Sequence, residues 1–460
     1  MARTYDTRVG ELAFTNEFAD GYPSDETVER LYDERDFQRA CQAYLWALPV
    51  VSMAQWQYSN QLTLGAENGQ IVFCEGYRDK VGGLTFNATT PYALPFIDLA
   101  PEGPFVAEMP EGAIRGAAHD MWQIAMTQIT EPGRYLFVGP GQAVPEGAEG
   151  AGFQICESPT MNLLLGIRLM PEDPEERIQL LDRVAIYPYS ERDDPGPRGY
   201  LRPEGREWLA AQPRGMTYWE RLAEMIDKEP VFERDRFFTA MLRPLGIEKG
   251  KPFAPDDRQQ RILEEAVFVG EAMAKANDFA KQFGSAHYVD DSRWEYATVA
   301  SPDQRADHHD ELDERAAWLY EAVTNDIAMH GQSTGWGQVY LATYKDGDGD
   351  WLDGANSYTL RVPPDPPVEA FWSITIYDVD TRCLIRNEQG IADRSSRMDL
   401  LRDDDGGVTI HIGPKAPEGR EQNWIPTVPG KAWFPYFRLY SPTKPFLDRS
   451  WILPDIERVD

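Results

Sequence analysis

The residues with most chemistry to offer in this 460-residue sequence sit beside aspartates in strand-like runs. His119-Asp120-Met121-Trp122 is one such cluster and Tyr377-Asp378-Val379-Asp380 is another. Histidine titrates near neutral pH, so His119 is the leading candidate for a general acid or base. Neighbours on a strand point to opposite faces, so Asp120 cannot orient the His119 ring, and the partner must come from elsewhere. In residues 371–378 the alternation puts Trp372, Ile374 and Ile376 on one face, and Phe371, Ser373, Thr375 and Tyr377 on the other. The aliphatic face is expected in the core; the polar face either lines a cleft or meets solvent. Tyr377 and Asp378 join His119 as candidate catalytic residues. Arg438, Asn423, Trp424, Trp122 and Tyr440 are the candidate substrate-binding residues, because aromatic rings stack on flat ligands while an amide or guanidinium orients them. Each has a structural counterpart reading: a strand end satisfied by backbone groups for His119, an internal bridge to Asp378 for Arg438. The two ring-plus-aspartate clusters also suggest two distant copies of one sandwich, with equivalent strands at these points.

Other chemistries have no matching pattern. The chain has no GxSxG elbow, no GxxxxGK[ST] loop, no HExxH and no GxGxxG. His308-His309-Asp310 suggests a metal cluster, but only His309 and Asp313 have the i, i+4 spacing that two ligands on one helix need, so a solvated helix start is expected. Asp346-Gly347-Asp348-Gly349-Asp350 resembles part of a calcium loop. Counting from Asp346, the glycine and glutamate of a full loop are replaced by Trp351 and Ser357, so a hairpin turn is expected. No metal and no cofactor are expected.

The chain has 76 acidic and 45 basic residues, a net charge of −31, and ten lysines. That balance argues against a nucleic-acid partner and against an anionic membrane surface. No run of 18 apolar residues exists, and the N-terminus lacks the pattern of a signal peptide. Four scattered cysteines without a CxxC pair point to reduced thiols and a cytoplasmic protein. Cys41 shares a helical stripe with Phe37, Tyr44 and Leu48, and is expected in the core.

The elements that must position these residues divide the chain into four. Residues 1–66 are an extended arm followed by a helix over 34–48, which Pro49 ends or kinks. An arm of this kind often reaches a neighbour, so a homo-oligomer is expected. Residues 67–175 carry short apolar runs split by Gly/Pro turns, the spacing of an antiparallel β-sandwich. Residues 176–332 form a mostly helical block. In it, Thr217-Tyr218-Trp219-Glu220 opens a helix to about 228, and 257–283 and 310–330 show helical stripes, the first through Ile262, Ala266, Val269 and Met273. Residues 333–460 return to the β-pattern.

The stretch FWSITIYDVDTRCLIRN, with DGGVTIHIG, QNWIP and FRLYSP, resembles the family catalogued as domain of unknown function 1214. YLWALPVV, TFNATTPYALPFIDL, VAEMP and GRYLFVGPG resemble its usual N-terminal partner, domain of unknown function 1254, in a bacterial two-domain family. The resemblance spans roughly residues 5–458 and implies two jelly-roll-like sandwiches with helical elements around them: an α+β, mainly β chain. It implies no settled activity. The N-terminal family often shows an Asn-Asp-Thr-Leu-Tyr-like run where this chain has Asn87-Ala88-Thr89-Thr90-Pro91-Tyr92, so an acidic residue is missing there.

The expectation for function is a cofactor-independent hydrolase or lyase, acting on a small organic or sugar-like substrate in a cleft at the β-domains. The alternative is a non-catalytic carbohydrate-binding or structural protein, since fold does not decide function.

Overall fold

The computed structural model describes residues 3–331 and 333–459, an α+β chain whose strands form mixed and antiparallel sheets. The N-terminal arm is a hairpin of β1 (Arg3–Thr7) and β2 (Gly10–Phe14), rather than a single extended segment. Helix α1 (Asp25–Tyr58) follows. It starts well before residue 34, because the Ser24 hydroxyl accepts the Thr27 N–H and caps it. Its first turns are largely exposed and give no apolar stripe, whereas residues 43–54 are buried on every side.

Pro49 lies inside α1 and does not end it. A proline removes a donor and crowds the preceding turn, so nearby carbonyls need other partners. Side chains bond carbonyls on either side of this gap: Tyr218 donates to the Tyr44 carbonyl at 2.7 Å, Arg315 to that of Trp46 at 2.9 Å, and Gln123 to that of Pro49 at 2.8 Å.

The first sandwich contains β3 (Ile71–Cys74), helix α2 (Tyr77–Lys80), β4 (Tyr92–Asp98), helix α3 (Leu99–Glu102), β5 (Phe105–Met109), β6 (Ile114–Asp120), β7 (Ala125–Ile129), β8 (Gly133–Val138), β9 (Phe153–Glu157), β10 (Asn162–Leu169), helix α4 (Pro174–Leu181), β11 (Ala185–Pro188) and β12 (Tyr200–Leu201). Its sheets run β12-β3-β4-β10-β6-β7 and β11-β5-β8-β9. The pairs β8–β9 and β12–β3 are parallel, so this sandwich is mixed and not wholly antiparallel. β11 and β12 lie in the stretch expected to be mostly helical.

Helices α5 (Met216–Lys228), α6 (Arg236–Leu242), α7 (Asp257–Phe279) and α8 (Leu312–Glu321) pack around α1. Thr217 does not cap α5; Gly215 does, at φ +64°. The Asp256–Gln259 capping box opens α7. The buried face of α7 holds Leu263, Val267 and Gly270 beside Ile262 and Ala266, while Met273 is 38% exposed, so the face is rotated from the expected stripe. Gly270 is required there: a Cβ would stand 2.5 Å from the Tyr44 ring of α1. The chain leaves α8 at Glu321, which frees 322–330 to run as a loop. His308 and His309 lie in the exposed turn before α8.

The second sandwich contains β13 (Glu295–Tyr296), β14 (Gln338–Ala342), β15 (Ser357–Val362), β16 (Val368–Asp378), β17 (Asp393–Ser395), β18 (Val408–Gly413), β19 (Trp424–Pro426), β20 (Trp433–Pro442), helix α9 (Lys444–Leu447) and β21 (Glu457–Val459). Its sheets run β13-β14-β20-β16-β17 and β19-β18-β15-β21. The aspartate-rich turn after β14 is closed by the Asp346 carboxylate on the Asp350 N–H at 2.9 Å. The turn is the expected hairpin, with Lys345 and Trp351 bridged antiparallel, and the chain then crosses from the β14 sheet to the β15 sheet.

The two sandwiches share one topology. β3-β4-β10-β6-β7 matches β13-β14-β20-β16-β17, and β11-β5-β8-β9 matches β21-β15-β18-β19. Even the parallel pair recurs, β8–β9 against β18–β19. The register extends the match to residues. Asp120 faces Leu163 and Arg168 faces Tyr92 in the first sandwich; Asp378 faces Trp433 and Arg438 faces Tyr340 in the second. Aligned on the two aspartates, His119 therefore corresponds to Tyr377, Gly166 to Tyr436, Arg168 to Arg438 and Tyr92 to Tyr340.

Candidate functional site

The two equivalent sheets enclose a cavity of about 440 Å³, with the loop after α8 along one side. That volume suits a small molecule. His119, Arg168 and Tyr92 line it from the first sandwich, and Arg438, Tyr340 and Tyr440 from the second.

His119 owes its position to the residue after it. Asp120 ends β6 and folds its carboxylate back onto the Trp122 and Ile124 N–H groups at 2.9 and 3.0 Å. Burial pushes this carboxyl up to about 6, and those hydrogen bonds oppose it. With Asp120 turned to one face, His119 takes the other and enters the cavity wall. Gly166 sits beside it, where a Cβ would lie 3.7 Å from the imidazole. The ring is 3% exposed, and neither nitrogen has a hydrogen-bond partner among the described residues. Its Nε2 lies 3.7 Å from the Asp326 carboxylate, a close electrostatic contact rather than a hydrogen bond. Burial works to raise the Asp326 carboxyl, but His119 and Arg168 outweigh it and hold the group below its ordinary value.

Asp326 is fixed by a chain of contacts that begins at the proline in α1. Gln123 bonds the Pro49 carbonyl through its side-chain NH₂, and its side-chain carbonyl accepts the Thr324 N–H at 2.7 Å. The Asn325 N–H donates to the Gln123 backbone carbonyl at 2.9 Å. The Asp326 carboxylate then accepts the Ala328 N–H at 2.7 Å, which closes the turn.

The two arginines cross between sandwiches. Arg168 donates to the Gln338 side-chain carbonyl of the second at 2.6 Å. Arg438 donates to the Thr85 carbonyl of the first at 2.7 Å, and to the Tyr377 hydroxyl at 2.7 Å. The Arg438 guanidinium lies 5.2 Å from the Tyr340 ring centre and 4.9 Å from that of Tyr436. Burial raises the phenols of Tyr92, Tyr340 and Tyr377, so all three are neutral donors near neutral pH.

Of the residues singled out in the sequence, the fold brings His119, Arg438 and Tyr440 to the cavity. Tyr440 receives a hydrogen bond from Asn87, the residue that opens the departing N-terminal motif. Tyr377 lies just behind the wall, fully buried. Its hydroxyl donates toward the Phe86 carbonyl at 3.0 Å and accepts from Arg438. Of that face of β16 only Phe371 lines the cavity; Ser373, Thr375 and Tyr377 are all inaccessible. Asp378 caps the turn after β16 and pairs with Lys431 at 2.6 Å, and Arg438 makes no bridge to it. Asn423 ties down Leu401 and Thr409, and Trp424 donates to the Gly413 carbonyl, both at the opposite sheet. Trp122 packs on Trp46 with ring centres 5.1 Å apart, outside the cavity. Asp326 and Arg168 went unrecognised in the sequence. Arg168 had a signal: Ile167-Arg168-Leu169 repeats the pattern of Phe437-Arg438-Leu439.

Among the described residues, no group of three or more His, Cys, Asp or Glu could hold a metal, and no helix is long and apolar enough to cross a membrane.

The fold is similar to that of the VPA0106 protein from Vibrio parahaemolyticus, at TM-score 0.57 and 17% identity, covering 92% of this chain and 100% of that one. An uncharacterized protein from Burkholderia cenocepacia aligns at TM-score 0.39 and 11% identity, over 95% of this chain and 90% of that one. No curated protein matches the chain. Residues 77–188 match the family described as "Protein of unknown function (DUF1254)" and residues 337–444 match "Protein of unknown function (DUF1214)", so the chain carries the two in the N-terminal and C-terminal order of a two-domain pairing.

Proposed function

We propose that this protein is a cofactor-independent hydrolase or lyase whose site is the cavity between the two sandwiches. The observation that carries the reading is the His119 ring. It is buried in the cavity wall, neither nitrogen has a hydrogen-bond partner among the described residues, and a carboxylate stands 3.7 Å from Nε2. A protein that used this ring only for structure would be expected to satisfy it. In this role His119 takes a proton from substrate or water, and Asp326 stabilises the imidazolium that forms. Tyr377 is reassigned from catalysis to positioning, because its hydroxyl is spent on Arg438 and on a backbone carbonyl. Each sandwich is read as jelly-roll-like, since its last long strand inserts between the second and third strands of its sheet. The four unpaired, buried cysteines support a cytoplasmic setting, and the exposed N-terminal hairpin supports a homo-oligomer.

The test is a screen of small organic compounds for conversion by NMR, with wild type and His119→Gln side by side. We expect wild type to convert at least one compound that it binds, and His119→Gln to bind it but turn it over roughly 10²- to 10⁴-fold more slowly. Binding without conversion by either protein would replace this reading with the non-catalytic one.

A further inference from the structure

We infer that the cavity takes a small organic anion, with carboxylate groups held by Arg168 and Arg438. This rests on the cavity being the functional site, and not on its being catalytic.

The first argument is charge. The chain as a whole carries −31, yet among the described residues Asp326 is the one acidic residue lining the cavity, against Arg115, Arg168, Arg397 and Arg438. Arg397 is paired with Glu172 at 3.3 Å. Among the described residues, Arg168 and Arg438 have no carboxylate within ion-pair distance, although Arg438 is 2% exposed. A buried cation is costly unless it is paired, and a ligand anion supplies the pairing.

The second argument is the count of donors. A guanidinium has five N–H groups. Protein acceptors use one on Arg168 and two on Arg438, which leaves a planar fork on each for a carboxylate. The bonds already made fix the forks in place. Tyr92 and Tyr340, each directly across the ladder from one of the arginines, line the same cavity with neutral hydroxyls.

The third argument is placement. The two arginines hold equivalent positions on facing sheets. The cavity therefore presents a cation from each side, which suits a ligand with an anionic group at either end.

Calorimetry of short dicarboxylates against their dimethyl esters tests this, with inorganic phosphate as a further probe. We expect one or more diacids to bind, their diesters to bind at least tenfold more weakly, and affinity to fall as salt rises. Arg168→Gln should weaken the diacid roughly 10- to 100-fold, and Arg168→Lys should restore part of the loss. Arg168 makes a single side-chain bond, so this variant should fold, as its unfolding curve will report. Diesters binding as well as diacids, phosphate alone binding as tightly, or Arg168→Gln binding unchanged would each overturn the inference. His119→Gln separates the two claims. If it binds diacid like wild type and wild type converts none, the anion site stands and the catalytic reading falls.

Discussion

The two sandwiches solve the same topology with different residues at one pair of positions. In the first, Gly166 leaves space beside His119, and the imidazole faces the cavity with no hydrogen-bond partner among the described residues. In the second, Tyr436 fills the corresponding place and packs edge-on against Tyr377, with ring centres 5.4 Å apart. The Tyr377 hydroxyl is then used up by Arg438 and the Phe86 carbonyl. One position leaves its ring nitrogens unspent; the other holds Arg438 still. A repeated fold thus supplies the frame, and one small-for-large difference leaves an imidazole open in one half and a phenol locked in the other.

Exchanging the small and large residues tests this contrast most severely. Tyr436→Ala should destabilise the protein by about 3–5 kcal/mol, because it empties a fully buried site and strips the Glu321 carboxyl of its hydroxyl partner. Urea denaturation measures it. A loss below about 1 kcal/mol would mean that Tyr436 does not hold the second half rigid.

The two strand-ending aspartates give a pH test. The Asp120 carboxyl is raised from 3.8 to about 6, so the folded state holds its proton more tightly than the unfolded chain. The stability this provides is present below about pH 4 and is lost as pH rises through 6. Asp120→Asn keeps the acceptor oxygen and removes the cost of the buried charge. It should be more stable than wild type at pH 7 by up to about 3 kcal/mol, and no more stable at pH 4. Asp378→Asn should instead lose a pair to the half-exposed Lys431, worth under about 1 kcal/mol. Equal pH profiles for the two variants would erase the distinction.

Tyr377→Phe should cost about 1–3 kcal/mol in unfolding, since it leaves a carbonyl and an arginine N–H without their partner. Turnover per folded molecule should change only a few-fold. A loss as large as that of His119→Gln would return Tyr377 to the catalytic residues. Gly166→Ala, with ordinary contacts at its Cβ, should be the mildest, within about 1 kcal/mol.

Alternation and turn spacing made the two β-regions and much of the helical stretch between them legible in the sequence, while the two-domain pairing was legible only as a resemblance of longer motifs. The start of α1 was not, because its first turns carry little apolar periodicity and rest on the Ser24 cap. Nor was the passage of α1 through Pro49, a stretch buried against elements distant in sequence that bond its backbone through Tyr218, Arg315 and Gln123. At the site, His119 and Arg438 were visible as polar residues in apolar strands. Asp326 was not, since it belongs to a loop carried to His119 by the packing of Gln123. Asn423 and Trp424 looked like ligand contacts from their residue types alone, but their polar groups are consumed by neighbouring backbone.

The crossing of the two arginines has a consequence of its own. Arg168 reaches Gln338 at the start of β14, and Arg438 reaches Thr85 in the segment entering β4. Reciprocal reach of this kind characterises two-fold homodimers, in which each subunit offers the other the same surface. The chain thus has the architecture of such a dimer written into one polypeptide. Two identical subunits must change in step, whereas two fused halves are free to diverge. A single mutation in a fused pair touches one wall of the shared chamber only, which is how one half can bear an imidazole while its counterpart bears a locked phenol.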